Sequence, residues 1–382
     1  MTAPHPHPAS ILTHFAALPD PRRPRRRLHR LLDLIAIAIC AVIAGCDDWV
    51  EVAAYGRQKR AWLQTFLPLP HGIPSHDTFS RVFRLLDPRA FQRCFRRWIA
   101  AVQAATGGKL VAIDGKTLRH SFDTAAGQSA LHLVSAWAGQ NRLVLAQRAV
   151  DGHSNEITAI PELVRLLDLT GAVVTIDVMG CQRDIVAALR GQGADYVITA
   201  KANQGTLYDD LSAFFQQCLE DDFAGVPHRS RKTVDHGHGR HEWRHYYVVD
   251  VPEALRTRHA WRDLRSVGMV YAERQVGDGE IGGETRFFIS SLRAEVKAFA
   301  RAVRGHWGIE NGLHWALDVA FGEDASRVRK DHGPENLAWL RRVALSLLRN
   351  EPSVGSVKCK RKMAGWDNDY LLQVLLGNSG AS

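Results

Sequence analysis

The sequence predicts an α/β chain with a helical region in front of it, and three observations carry that reading. Two β-branched apolar runs, Leu110-Val111-Ala112-Ile113-Asp114 and Val173-Val174-Thr175-Ile176-Asp177, read as strands buried on both faces. Strand patterns at 110–115, 131–137, 142–150, 172–178 and 195–201 mix with helix patterns at 157–168, 181–191 and 205–219. Residues 1–105 read as a basic arm followed by helices. Three early strands without a helix between them, then helix–strand–helix–strand, is the order of a ribonuclease-H-like domain. A Rossmann order would alternate from the start and carry GxGxxG after its first strand, which this chain lacks.

Taken in order, the arm is Pro21 to Arg30, with Arg25, Arg26 and Arg27 at its centre. It has no apolar period, so it cannot pack a core, but it can neutralise phosphates. Leu31 to Ala44 is almost wholly apolar and reads as a buried helix; Val50 to Phe66 reads as another. Ser75 or Asp77 is the expected N-cap of the next helix. Beyond it, Arg81, Arg84, Arg89, Arg93, Arg96 and Arg97 recur among Val82, Phe83, Leu86, Phe91, Phe95 and Trp98. That spacing predicts two amphipathic helices, broken near Asp87-Pro88, with a basic side suited to DNA. Residues 220–284 change character and read as a β-rich insertion. Arg286 to Ser291 returns to strand, Glu295 to about Asp318 reads as one helix, and Asn336 to Leu348 as another.

The expected division is therefore a helical, basic N-terminal domain at 1–105, an α/β domain at 106–350 and a basic tail at 351–382. Net charge is +9, and residues 1–105 hold fifteen Lys and Arg against seven Asp and Glu. Nearly all the excess sits in the first quarter, which favours an anionic partner there. The longest apolar run, Leu34 to Cys46, is too short to span a bilayer. Six scattered cysteines without a CxxC pair argue against a disulfide framework or zinc knuckle, so a cytoplasmic protein is expected.

The chemistry is read from the two strand ends. An ionised Asp is costly to bury unless it is paired or bound to a metal, and both runs end on one, Asp114 and Asp177. A third carboxylate would complete a divalent cation site, and Glu310 is the candidate. At about 100° per residue, Gly305, Gly308 and Gly312 fall on one side of its helix with Ile309, Leu313 and Ala316, while His306, Trp307, Glu310 and His314 fall on another. Glycines cost helix stability, so a face pressed against the sheet is their expected use. Such a set suits two Mg²⁺ or Mn²⁺ ions clamping an in-line phosphoryl displacement. Lys116, Lys201 and Asn203 follow strands and read as phosphate contacts; Trp307 reads as a stacking platform for a base.

The chain resembles a bacterial insertion-sequence DDE transposase of the H-repeat-associated type. The matching stretches run in order over most of its length: Gly72-Ile73-Pro74-Ser75-His76-Asp77-Thr78-Phe79, Ala112-Ile113-Asp114-Gly115-Lys116, His153-Ser154-Asn155-Glu156-Ile157, Thr175-Ile176-Asp177-Val178-Met179-Gly180-Cys181-Gln182, Lys201-Ala202-Asn203-Gln204, His238-Gly239-Arg240 and His306-Trp307-Gly308-Ile309-Glu310-Asn311. The resemblance implies Asp114, Asp177 and Glu310 as a metal-binding catalytic triad. It also implies cleavage and strand transfer at terminal inverted repeats, double-stranded DNA as partner, and a homodimer or larger active complex in the nucleoid. Two departures from the pattern stand out. Val178 stands where relatives have Ala, and the Tyr-Arg-Glu-Lys signature of the wider group is met only at Glu310, with Val303, His306 and Leu317 in the other places, so of the signature's contacts to the transposon end the resemblance implies only one, at His306. Competing readings are a metal nuclease of the same fold that does not join strands, a decayed repressor that only binds DNA, and a zinc hydrolase built on His306, Glu310 and His314.

Overall fold

A computed structural model of the chain describes residues 11–106, 110–140, 142–150, 156–177, 180–201, 205–237, 239–277 and 279–376. In chain order the elements are α1 (Ile11–Phe15), α2 (Leu31–Ile43), α3 (Trp49–Gln58), α4 (Arg60–Leu63), α5 (His76–Leu85) and α6 (Pro88–Thr106). Then come β1 (Leu110–Thr117), β2 (His132–Ala138), β3 (Leu143–Val150), α7 (Glu156–Arg165), β4 (Val173–Ile176), α8 (Arg183–Gly191), β5 (Asp195–Ala200) and α9 (Gly205–Glu220). There follow β6 (His228–Gly237), β7 (Arg240–Asp250), α10 (Glu253–His259), β8 (Ser266–Val276), β9 (Gly282–Ser290) and α11 (Val296–Ile309). A π-helical turn, Glu310–His314, leads into α12 (Trp315–Phe321), and α13 (Gly333–Asn350), α14 (Val357–Trp366) and α15 (Asn368–Leu376) close the chain. The run β1, β2, β3, α7, β4, α8, β5 is the order expected from the sequence.

The chain divides into two compact units that are not consecutive. One comprises residues 1–108, 115–153 and 310–382; the other, 109–114 and 154–309. The three-part division read from the sequence follows chain order, whereas the units gather segments that are distant in it.

In the first unit, α2 is buried all round, as a helix apolar on every side must be. α3 is capped by Asp48, which accepts from Glu51 N–H, while Glu51 accepts from Asp47 N–H. The helix expected over 50–66 breaks at Lys59 into α3 and α4. Ser75 caps α5, and Pro88, whose missing N–H costs nothing at a helix start, opens α6. α13 lies in the middle, buried from Gly333 to Leu348 and touching Phe95 through Trp339 at 5.0 Å between rings. Its Arg342 donates to Glu323, a pair in which both side chains are fully buried.

Within residues 351–382, expected as a basic tail, Val357–Trp366 and Asn368–Leu376 form α14 and α15 in that unit. Lys360 and Arg361 are 5% and 4% exposed. Arg361 donates to the carbonyls of Val42 and Ala320 and pairs with Asp47. Helix ends offer unpaired carbonyls, so a cation from a distant segment stabilises α2 there. Lys360 pairs with Glu351 at 2.9 Å. Burial alone would raise the Glu351 carboxyl, but hydrogen bonds from Ser353, Lys360 and Tyr370 outweigh it and hold it down at about 2. A depressed carboxylate contributes stability above its ordinary value near 4.5, and that stability is lost as pH falls towards about 2. Glu351→Gln is therefore expected to melt lower at pH 7 and to show a flatter decline in Tm from pH 5 to 3. Parallel melting curves for the two proteins across that range would remove Glu351 from the acid response.

In the second unit the strands lie in the order β1-β4-β5-β9-β8-β7-β6. β1, β4 and β5 are parallel neighbours; β5 then pairs antiparallel with β9, and β9 to β6 form an antiparallel meander. The β-rich insertion is thus not a separate body: its strands continue the sheet, and β9 spans the expected border at 284 without a break. α11 packs on this sheet through Phe299, Ala302 and Val303. Gly268 on β8 makes room for the Phe299 ring, which would come within 2.4 Å of an added Cβ.

Candidate active site

The register of β1 on β4 runs Leu110↔Val173 to Ile113↔Ile176. Asp114 and Asp177 are the next residue on each strand, so one step past the last pair two carboxylates stand on adjacent chains. Neighbouring strands lie about 4.8 Å apart, and the carboxyl ends of parallel strands are where α/β sheets bind ligands. Both aspartates are half-buried. Gly180 N–H donates to the Asp177 carbonyl, and an added Cβ on Gly180 would meet Ile176 at 2.1 Å. Glycine is required there for close approach rather than for a positive φ.

α11 crosses the same strands. An added Cβ on Gly305 would fall 2.2 Å from Leu110 of β1, so the glycine face does press on the sheet as expected. One residue on, His306 Nδ1 lies 3.2 Å from the hydroxyl of Thr175, which is buried in β4 two residues before Asp177. Trp307 is 41% exposed, and the Arg286 guanidinium sits over its ring at 4.9 Å. It lines a cleft of about 440 Å³ with Arg274, Arg286 and Arg304.

Glu310 is exposed and opens the π-turn that interrupts the single helix expected over 295–318. Such turns carry one extra residue and recur at functional sites. Within the first unit Gly312 lets Trp137 approach to 3.1 Å of an added Cβ, while Leu313 and Ala316 are buried.

Lys116, read as a phosphate contact, is only 11% exposed, and its ammonium lies 2.5 Å from Asp318 and 3.3 Å from Asp324. No spacing rule links Asp318 and Asp324 to residue 116, so this pairing is not legible in the sequence. Arg25, Arg26 and Arg27 are exposed, although Arg27 also donates to the carbonyls of Arg22 and Asp20. Arg93 and Arg97 are exposed on α6, while Arg96 is half-buried and burial lowers its guanidinium. Lys201 is exposed; Asn203 lies outside the described residues, as does Val178.

Asp114 and Asp177 are carboxylates, the hard oxygen donors that Mg²⁺ or Mn²⁺ prefers. Among the described residues no group of three or more His, Cys, Asp or Glu side chains is placed to hold a metal ion. That applies equally to the zinc reading of His306, Glu310 and His314, and to the hairpin histidines His236 and His241, which face each other at 2.6 Å.

Residues 105–347 match the family described as Transposase DDE domain, and residues 12–99 match its associated region, DDE_Tnp_1-associated. The chain belongs to the DDE transposase family. It is 38% identical to the protein named "Putative transposase YncI" of Escherichia coli O157:H7, over 96% of this chain and 94% of that one. It is 35% identical to the "H repeat-associated putative transposase YhhI" of Escherichia coli K12, over 96% and 98%. A solved piggyBac transposase synaptic complex with hairpin DNA aligns over 94% of this chain and 77% of that one, at 11% identity and a TM-score of 0.40. That likeness is too slight to carry an argument. In this family member the places of the missing Tyr and Lys of the wider signature are apolar for a visible reason. Val303 is 8% exposed in the core under α11, and Leu317 is fully buried in α12. No helix is long and apolar enough to cross a membrane among the described residues.

Proposed function

We propose that this transposase cleaves DNA at the ends of an insertion sequence and joins the freed 3′ ends to target DNA, using a ribonuclease-H-like catalytic core. The observation that carries the reading is the register of β1 on β4, which brings Asp114 and Asp177 to neighbouring strand ends in a chain of the DDE family. Glu310 is the third carboxylate in this proposal, carried on the helix that follows α11. Asp114 and Asp177, with Glu310, would hold two divalent cations, Mg²⁺ or Mn²⁺, and the bound ions would lower the cost of forming the nucleophile and of releasing the leaving oxygen. The protein's own residues position. His306, held by Thr175, fixes α11 on β4 and presents its ring as a contact to the DNA end. Trp307 offers a stacking face to a base near the cut, and Lys201 and Asn203 contact the strand backbone. Lys116 acts from within its ion-pair network, beside Asp114 in sequence. Arg25, Arg26, Arg27, Arg93, Arg96 and Arg97 grip duplex phosphates, and the active form is a dimer or larger.

The test incubates the purified chain with duplexes carrying both boundaries of its own gene, a target plasmid and Mn²⁺. Cuts at the boundaries and joined products are expected, with binding that weakens steeply between 50 and 200 mM salt as counterion release requires. Cutting without joining would favour the simple nuclease, and salt-sensitive binding with neither product would favour the repressor.

A further inference from the structure

A cleft of about 620 Å³ opens between α12, the end of α13 and the start of α14, and nothing above gives it a role. Part of its wall is apolar and bare: Trp315, Val319 and Val354 are 61%, 47% and 100% exposed. Surface of that kind, gathered on one side of a cavity, marks a binding site more often than chance exposure does. The remaining wall is cationic, with Arg142, Arg349 and Lys358.

Arg349 is the informative residue. Its guanidinium lies over the Trp137 ring at 5.1 Å, and among the described residues no carboxylate pairs with it. Its Nη1 is buried without a hydrogen-bond partner. Burial, and next the neighbouring Arg142, lower its guanidinium to about 10. Two like charges side by side without a counter-ion raise the energy of the fold, and an anion between them would relieve it. The carboxylate in the wall, Glu351, is already engaged by Lys360 at 2.9 Å, Ser353 at 2.5 Å and Tyr370 at 2.7 Å. Ser356, Val357 and Lys358, the cap and first turn of the ten-residue α14, also line the cleft and add the positive end of a helix.

We infer that this cleft binds a nucleoside phosphate, with the phosphate between Arg349 and Arg142 and the base laid on Trp315. An aromatic body joined to a compact anion matches both halves of the wall, since every base has a face that stacks on an aromatic side chain. The nucleotide comes either free or as an unpaired residue at the end of a DNA strand. The inference rests on the cleft alone and does not depend on strand cleavage.

The test uses the full chain and 2-aminopurine, whose fluorescence is quenched on stacking. One arm titrates the free 2-aminopurine deoxynucleoside monophosphate; a second, a duplex with the probe in a 3′ overhang; a third, a blunt duplex with the probe paired. Quenching by the first arm identifies a free nucleotide as ligand, and quenching by the second alone identifies a strand end. Arg349→Gln, Arg142→Gln and Trp315→Ala, each checked by thermal melting, should weaken that binding at least tenfold. Asp114→Asn should leave it unchanged, so failure of the cleft and failure of the cleavage reading are separable. Equal quenching in all three arms, indifference to all three cleft variants, or competition by inorganic phosphate as strong as by the nucleotide would overturn the assignment.

Discussion

Asp114→Asn, Asp177→Asn and Glu310→Gln each lose strand cleavage by on the order of a thousandfold or more, while duplex binding stays within about twofold. The size follows from what a ligand to a catalytic metal supplies, several kcal/mol of charge stabilisation, at about 1.4 kcal/mol per tenfold. Binding survives because the proposed phosphate contacts are the arginines of the arm and of α6, not the triad. A second signature accompanies the first. Asp114 and Asp177 stand at adjacent strand ends, so a cation bound there should give the wild type thermal stability on adding Mn²⁺ by mass action. Asp114→Asn and Asp177→Asn gain less. Single-turnover cleavage, paired with melts with and without Mn²⁺, reads both effects. Near wild-type cleavage in one variant removes that residue from the site, and a normal Glu310→Gln would send the search to Glu156, Asp318 and Glu323.

Arg342→Met is expected to destabilise the first unit by about 3–5 kcal/mol, lowering Tm by roughly 10 °C. Arg342 and Glu323 are both fully buried, and Arg342 also donates to the Ala338 carbonyl at 3.1 Å. Removing one partner strands a carboxylate in the core beside α13, where it has no water to fall back on. Replacing both, Arg342→Met with Glu323→Met, should recover most of the loss, since an apolar pair of similar volume often matches a buried ion pair. Equal destabilisation in single and double variants would show that the pair's volume, not its charge, holds α13.

The parts of the fold that the sequence made legible are those set by local rules. Ser75 as a cap, Pro88 at a helix start and the β-branched runs ending on Asp114 and Asp177 depend on neighbours a few residues away, and they appear where expected. The close approach of Gly305 to Leu110 was legible because three glycines in one helix demand a use. Other features depend on distant partners. Lys360 and Arg361 looked like a solvated basic cluster because nothing local reveals the carbonyls of Val42 and Ala320 waiting for them. Lys116 looked free because Asp318 and Asp324 lie some two hundred residues on. The π-turn at Glu310 escaped for a different reason. A wheel drawn at 100° per residue assumes a regular helix and cannot show where an extra residue enters.

The pairing of β5 with β9 also bears on how the chain is made. Val197 faces Ser290, so the edge of β5 stays open on the ribosome until the whole meander has been synthesised. At about 5–20 residues per second that is a wait of roughly 5–20 s. During it, Tyr196, Val197 and Ile198 offer an apolar, unpaired strand to any other nascent copy. Crowded expression therefore favours tangled chains over native ones, and slow, dilute synthesis is the condition under which this sheet closes on itself.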